Sequence, residues 1–318
     1  MTCAPQESVH ASMEGNGTLQ ALIDLYLLRC RVEGRADQTI RGYADTLRRF
    51  STALAADGAP YQAEALRQEH VYAYLGRYVH LSLETRHRYF REVRCFFNWA
   101  YASSNLATNP CAGIRAVRLP ERIIQPFSPE DIAAILGECD VNTGAGIRDR
   151  AIVFMLLDCG LRCSELVQLN LQDVSLKTRR VRILHAKGNK QRVVSFADRC
   201  GEALARYLEL RGSDDGRLFW AMNQRGDLRP GSVLKPNGLK HMLRRLGSQA
   251  GIPKVHAHRF RHTFATWAIQ NEARELDVQY LLGHSSADMV RRYTSSYRSE
   301  QAAARHAAFS PADRMLAI

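Results

Sequence analysis

Apolar residues recur at three- and four-residue intervals through the first part of the chain, the spacing that stacks side chains on one face of a helix. TLQALIDLYLLRC places Leu19, Leu22, Ile23, Tyr26 and Leu27 on one stripe. TIRGYADTLRRFSTAL does the same with Ile40, Tyr43, Leu47 and Phe50, and REVRCFFNWAYA with Val93, Phe96, Phe97 and Ala100. The pattern predicts a small all-α domain of about four helices. Its basic residues are all arginines, with no lysine.

That pattern stops in NPCAGIRAVRLPERIIQPFSPE, which holds four of the ten prolines. Helices do not run through such spacing, so the stretch reads as an extended linker between domains. The expected division is a loose tail over 1–17, a helical domain over 18–107, a linker over 108–126 and a second domain over 127–318. In the second domain Ser128 is placed to cap a helix with Pro129 at its first position. RDRAIVFMLLDCG reads as a buried helix ending at Gly160, and LRCSELVQL as the start of another. The period then changes. DVSL, RVRIL and RVVSF are short and β-branched, and GNK between the last two reads as a turn. From residue 200 onward the pattern predicts helices again. The expected class is mostly α: a four-helix N-terminal domain, then an α+β domain with a small three-stranded antiparallel sheet.

Charge narrows the partner. The chain of 318 residues carries 44 basic and 32 acidic side chains, a formal net charge of +12. A balance this basic favours a polyanion, most simply nucleic acid; a merely basic enzyme is the plain alternative. The longest apolar run, AIVFMLL, is far short of the ~20 residues that cross a bilayer. The N-terminus lacks the basic start and apolar core of a secretory signal. The eight cysteines form no CxxC pair and read as free thiols in a reducing cytoplasm.

The densest chemistry lies in HAHRFRHTF, with three histidines and two arginines. On a helix His258, Arg261 and His262 share one face. Zinc would need further ligands, no HExxH is present, and Arg261 would repel a cation. Phosphate fits better, because arginine binds its oxygens through paired hydrogen bonds and histidine titrates near neutrality. Arg162, in GLRCSEL, falls in a break between helices, where an ordinary surface arginine is the simpler reading. Lys187 sits at the HAKGNKQR turn. With six lysines against 38 arginines in the chain, a lysine kept there points to a group able to release a proton, against a merely solvated turn residue. In LLGHSSADMVRRYTSSY, Gly283 ends a helix. Taken singly, His284 reads as a packed histidine and Tyr293 as a surface tyrosine.

Taken together, GLRCSEL, AKGNKQR, HAHRFRHTFAT and LLGHSSADMVRRYT resemble, in order and spacing, the catalytic boxes of the tyrosine recombinase (phage integrase) family. TIRGYADTLRRF, followed by FFNWAY and NP, resembles that family's core-binding, SAM-like domain. The resemblance spans roughly residues 18 to 315, and it is similar to Xer-like and transposon-borne members. It implies Tyr293 as nucleophile on a DNA phosphate, leaving a 3′-phosphotyrosyl link. It implies Arg162 and Arg261 on the non-bridging oxygens, Lys187 as acid toward the 5′-oxygen, His258 as base and His284 as a further donor. Glu165 matches an acidic position that supports the arginine and histidine. It implies neither a metal nor any other cofactor, since the covalent link conserves the phosphodiester energy.

The resemblance also implies double-stranded DNA as partner, four protomers on two DNA sites, and a C-terminal helix exchanged between protomers. Accessory proteins and a mobile element are compatible with it. Arg48, Arg49, Arg86, Arg88, Arg91 and Arg94 in the first domain, and Lys235, Lys240, Arg244 and Arg245 in the second, are expected on DNA backbone, where contacts make affinity fall with salt. A solvated helix face is the alternative for each. The rival functions are an inactive DNA-binding descendant, a type IB topoisomerase and a hairpin-forming telomere resolvase.

Overall fold

The computed structural model describes residues 18–60, 62–120, 124–184, 191–223, 226–283, 303 and 305–315. The chain divides into two compact units, 1–121 and 122–318.

In the first unit four helices surround an aromatic core: α1 (Leu19–Val32), α2 (Asp37–Ala56), α3 (Gln68–Gly76) and α4 (Leu83–Ala102). Thr18 and Ser82 begin α1 and α4 by accepting from backbone amides three residues on, which satisfies donors the helix itself leaves over. The stripes read from the sequence face inward. Leu22, Ile23, Tyr26, Leu47, Phe50, Val93, Phe96 and Phe97 are all buried in one cluster. Phe50 meets Phe97 edge-on with centroids 5.7 Å apart, the arrangement ring quadrupoles favour. The stretch expected as linker is packed at its start, for Cys111 and Ile114 are buried in this same core.

The second unit is built around α6 (Gly144–Cys159), which packs between α8 (Asp198–Arg211) and α10 (Ala257–Gln270). Ala151, Ile152, Val153, Met155 and Leu156 are completely buried, so this helix carries apolar residues on nearly every side. Ser128 caps α5 (Pro129–Gly137), with Pro129 at its first turn as expected. A short helix α7 (Cys163–Gln168) leads into the sheet of β1 (Val174–Ser175), β2 (Arg180–Ile183) and β3 (Arg192–Ser195). The sheet is antiparallel in the order β1-β2-β3, and Ile183 pairs with Arg192 where the β2–β3 connection begins.

One expectation fails. Residues beyond 200 do not all return to helix: β4 (Trp220–Met222) pairs antiparallel with β5 (Leu228–Val233). Turn chemistry explains it. The Asn223 side chain accepts from the Asp227 amide at 2.9 Å, and Gly226 takes a φ of +86° open mainly to glycine. Pro230 then interrupts any helical run. The chain continues through α9 (Pro236–Gln249), α10 and α11 (Glu275–Leu282), with two short helices, α12 (His306–Phe309) and α13 (Pro311–Met315), near the C-terminus.

Two helix ends prepare the site. α6 stops at Gly160 and α11 at Gly283, both left-handed, with φ of +59° and +63°. A Cβ on Gly160 would stand 2.7 Å from Phe264 and 2.8 Å from Leu282, so only glycine lets α6, α10 and α11 converge there.

Candidate active site

Glu165 is the centre of the cluster. Its side chain is 1% exposed, and its carboxylate accepts four hydrogen bonds. The Arg162 amide donates to Oε2 at 2.8 Å, and the Arg162 guanidinium to Oε1 at 2.6 Å. Arg192 donates through both Nη atoms, each at 2.8 Å, the fork geometry that arginine alone provides. Burial would raise the Glu165 pKa, but these donors outweigh it and hold it at about 2. The carboxylate therefore stays charged and keeps both arginines in place.

Arg261 is fixed differently. It is one of the largest fully buried side chains of the protein. Its Nη1 donates to the Gly160 carbonyl at 2.7 Å, and its Nη2 to the Leu282 carbonyl at 2.5 Å. Both acceptors lie at helix C-termini, where carbonyls lack intrahelical partners and carry the negative end of the helix dipole. Arg192 uses the same device: its Nε donates to the Leu281 carbonyl at 2.6 Å. Its side chain lies against Gly283, at which a Cβ would approach within 3.1 Å.

His258 stands one turn before Arg261 on α10. Part of the residue is open to solvent, yet desolvation lowers its pKa, aided by nearby His256, Arg261 and Arg162. The imidazole is thus biased toward the neutral form, which can accept a proton. His262 does not join that open face. It is buried beside Thr266, with Nδ1 and Oγ1 3.3 Å apart, and burial, with His258 nearby, pushes its pKa down to about 4. The structure therefore gathers four of the expected residues, Arg162, Glu165, His258 and Arg261, on α7 and α10. Lys187, His284 and Tyr293 lie outside the described residues. In sequence Lys187 falls between Ile183 and Arg192, and His284 follows Gly283.

Arg192 was missed by sequence reasoning although it stands in the AKGNKQR box. A signal existed. In β3 it alternates with exposed Val193 and falls on the same face as buried Val194, and a charge on a buried face needs a partner.

The expected DNA-facing residues behave unevenly. Arg88, Arg91 and Arg94 are exposed at three-residue spacing on α4, so they share a face. Arg48 and Arg49 both donate to Asp45 at 2.9 Å. Arg86 is half-buried. Lys235, Lys240 and Arg244 are exposed, and Lys240 and Arg244 line a cleft of about 680 Å³ with Cys163, Lys254, His256 and His258. Arg245 is also exposed, but it is tied by a 2.5 Å hydrogen bond to buried Asp149, which also holds Arg148.

The phage integrase family model matches residues 126–300. The chain belongs to the phage integrase family. The model of the family's N-terminal SAM-like domain matches residues 23–104. Among curated relatives, tyrosine recombinase XerC of Staphylococcus saprophyticus is 26% identical over 87% of this chain and 93% of its own. XerC of Bacillus pumilus is 28% identical over 86% and 92%. Among solved structures, XerH site-specific recombinase bound to difH substrate in a post-cleavage complex covers 89% of this chain and 83% of its own, with a TM-score of 0.68 at 23% identity. The Tn1549 transposon integrase in complex with circular intermediate DNA covers 90% and 99%, with a TM-score of 0.66 at 19% identity. These likenesses establish the integrase fold for both units.

The neutral state of His262 has a measurable consequence. Unfolded, its ring takes a proton near the ordinary histidine value of 6.5; folded, it resists until about 4. Stability it contributes is therefore complete above 6.5 and is lost as pH falls toward 4, on the order of 2 to 3 kcal/mol. Denaturant midpoints measured from pH 7 to 4 should fall less steeply for His262→Gln than for wild type. Parallel curves would contradict this assignment.

Proposed function

We propose that the protein is a site-specific DNA recombinase that cuts and rejoins strands through a 3′-phosphotyrosyl intermediate. Residues 18–107 form its core-binding domain and 127–318 its catalytic domain, and it works on double-stranded DNA in the cytoplasm. The observation that carries this reading is the convergence of Arg162 and Arg261, fixed by Glu165 and by two helix-end carbonyls, beside a neutral-biased His258 in a phage integrase module.

The chemistry follows from these groups. A scissile phosphate carries a negative charge that grows on its non-bridging oxygens as a nucleophile adds. Arg162 and Arg261, already held in place, neutralise that growth without reorganising. The Tyr293 hydroxyl, with an ordinary pKa near ~10, is a weak nucleophile at neutral pH and needs a base. His258 accepts its proton as the oxygen attacks phosphorus. The P–O5′ bond breaks, and Lys187 protonates the departing 5′-oxygen. His284 donates a hydrogen bond to the phosphate. Rejoining reverses each step with a new 5′-hydroxyl. No energy source is needed, because one phosphoester replaces another.

Assembly as a tetramer on two sites is the companion proposal. The catalytic unit presents a groove of about 700 Å³ lined by Ile132, Leu136, Phe154, Leu157, Phe264 and Trp267. The C-terminal α12 and α13 expose Phe309 and Met315. An apolar tail and an apolar groove on the same chain suit exchange between neighbouring protomers. No described helix is long and apolar enough to cross a membrane.

Incubation with DNA flanking the gene, followed by detergent, should leave a covalent protein–DNA adduct with wild type and none with Tyr293→Phe, while both bind the DNA. An equal adduct with Tyr293→Phe would remove the assigned nucleophile; tight binding without any adduct would favour an inactive descendant. Strand exchange between two duplexes separates a recombinase from a topoisomerase. Deletion from Phe309 onward should reduce strand exchange more than DNA binding, and unchanged exchange would overturn the tail's role.

A further inference from the structure

His256 lies outside the residue roles assigned above, yet it begins the helix that carries two of them. Its backbone is extended, with φ of −155° and ψ of 156°, and its side chain accepts from the Arg259 amide. The acceptor is Nδ1, at 3.1 Å. A backbone N–H can only donate, so Nδ1 carries no proton. The neutral ring then holds its hydrogen on Nε2, and its tautomer is fixed by the helix it caps. The same ring lies 10° from parallel to His258, with centroids 6.5 Å apart, within the range of offset aromatic pairs. His258 is only two residues on, so the orientation of its first helical turn is set by this cap.

We propose that His256 is a positioning residue for catalysis: an imidazole cap that fixes the first turn of α10 and with it the placement of the His258 ring. The inference rests on the reading of His258 as the base. The surroundings make the cap work only when neutral. The titratable groups that share its cleft are basic or thiol: Lys240 and Arg244 from α9, Lys254 from the preceding turn, Cys163 from α7 and His258 on its own helix, where Arg259 also lies. Asp131 is turned to Arg259, 3.5 Å away. Burial and the Arg259 charge lower the His256 pKa. Protonation would turn the acceptor into a donor and set a positive charge at a helix N-terminus, where the dipole opposes it. The acid side of the activity profile should therefore reflect two protonations, one uncapping α10 and one disabling the base.

The test uses the full-length protein and its own cleavable DNA, with wild type, His256→Ala and His256→Asn. Asparagine is among the preferred caps and does not titrate. His256→Ala should slow adduct formation about tenfold at pH 8 with unchanged DNA affinity, and His256→Asn should restore it to within about twofold. On the acid side wild type should lose rate with a slope near two, and His256→Asn with a slope near one. Wild-type rates and an unchanged profile in His256→Ala would overturn the proposal. So would a loss of DNA affinity matching the loss of rate, which would make His256 a DNA contact only. Should the alanine variant fail to fold, the slope in His256→Asn alone decides the matter. Absence of adduct from wild type would instead count against the function itself.

Discussion

The site depends on one buried cation. Arg261 is held inside the catalytic unit by carbonyls from two separate helix ends, Gly160 of α6 and Leu282 of α11. Those carbonyls are available because each helix ends there, and the last turn of a helix has carbonyls without intrahelical partners. Burying a guanidinium is costly unless its donors are met, so this packing is stable only when α6, α10 and α11 end in the right places. The arginine locks the helix ends and the helix ends aim the arginine.

Glu165 plays the matching part on the other side. It gathers Arg162 and Arg192 on one carboxylate, and Arg192 passes the constraint to β3 and to the Leu281 carbonyl. Removing one partner from so buried a pair leaves a charge uncompensated, at a cost of about 3–5 kcal/mol. With one carboxylate against three guanidiniums, the cluster keeps a surplus of positive charge. That surplus suits a phosphate, and Arg261 and Arg162 add to the desolvation that chiefly lowers the proton affinity of His258.

Much of this was legible in the chain. The first unit's stripes, the Ser128 cap, the stops at Gly160 and Gly283 and the three short strands follow from local spacing and turn chemistry, which act within a few residues. The four boxes were visible as a set through their resemblance to the family, although Arg162 alone would have passed for a surface residue. Contacts that join distant positions were not legible. Arg245 answers to Asp149, 96 residues away, so its place in a basic helix suggested DNA and gave no sign of an ion pair. Arg192 was hidden by its neighbours in a conspicuous box. The β4–β5 hairpin was lost because β4 has three residues, too few to show a period, and β5 carries Pro230 and Gly231 in its middle. His256 was conspicuous, but only coordinates reveal that its nitrogen starts a helix.

The charge of the scissile phosphate is what the proposed arginine cradle recognises. The most direct measurement compares adduct formation on an ordinary phosphodiester and on a methylphosphonate at the cleaved bond, each with wild type and Arg261→Ala. Comparing both substrates on one variant cancels any loss of folded protein. The account predicts a loss of about 100-fold or more from Arg261→Ala on the phosphodiester, shrinking by about tenfold or more on the neutral methylphosphonate. Equal losses on both substrates would show that Arg261 serves only to hold the helices together, and would contradict the phosphate cradle.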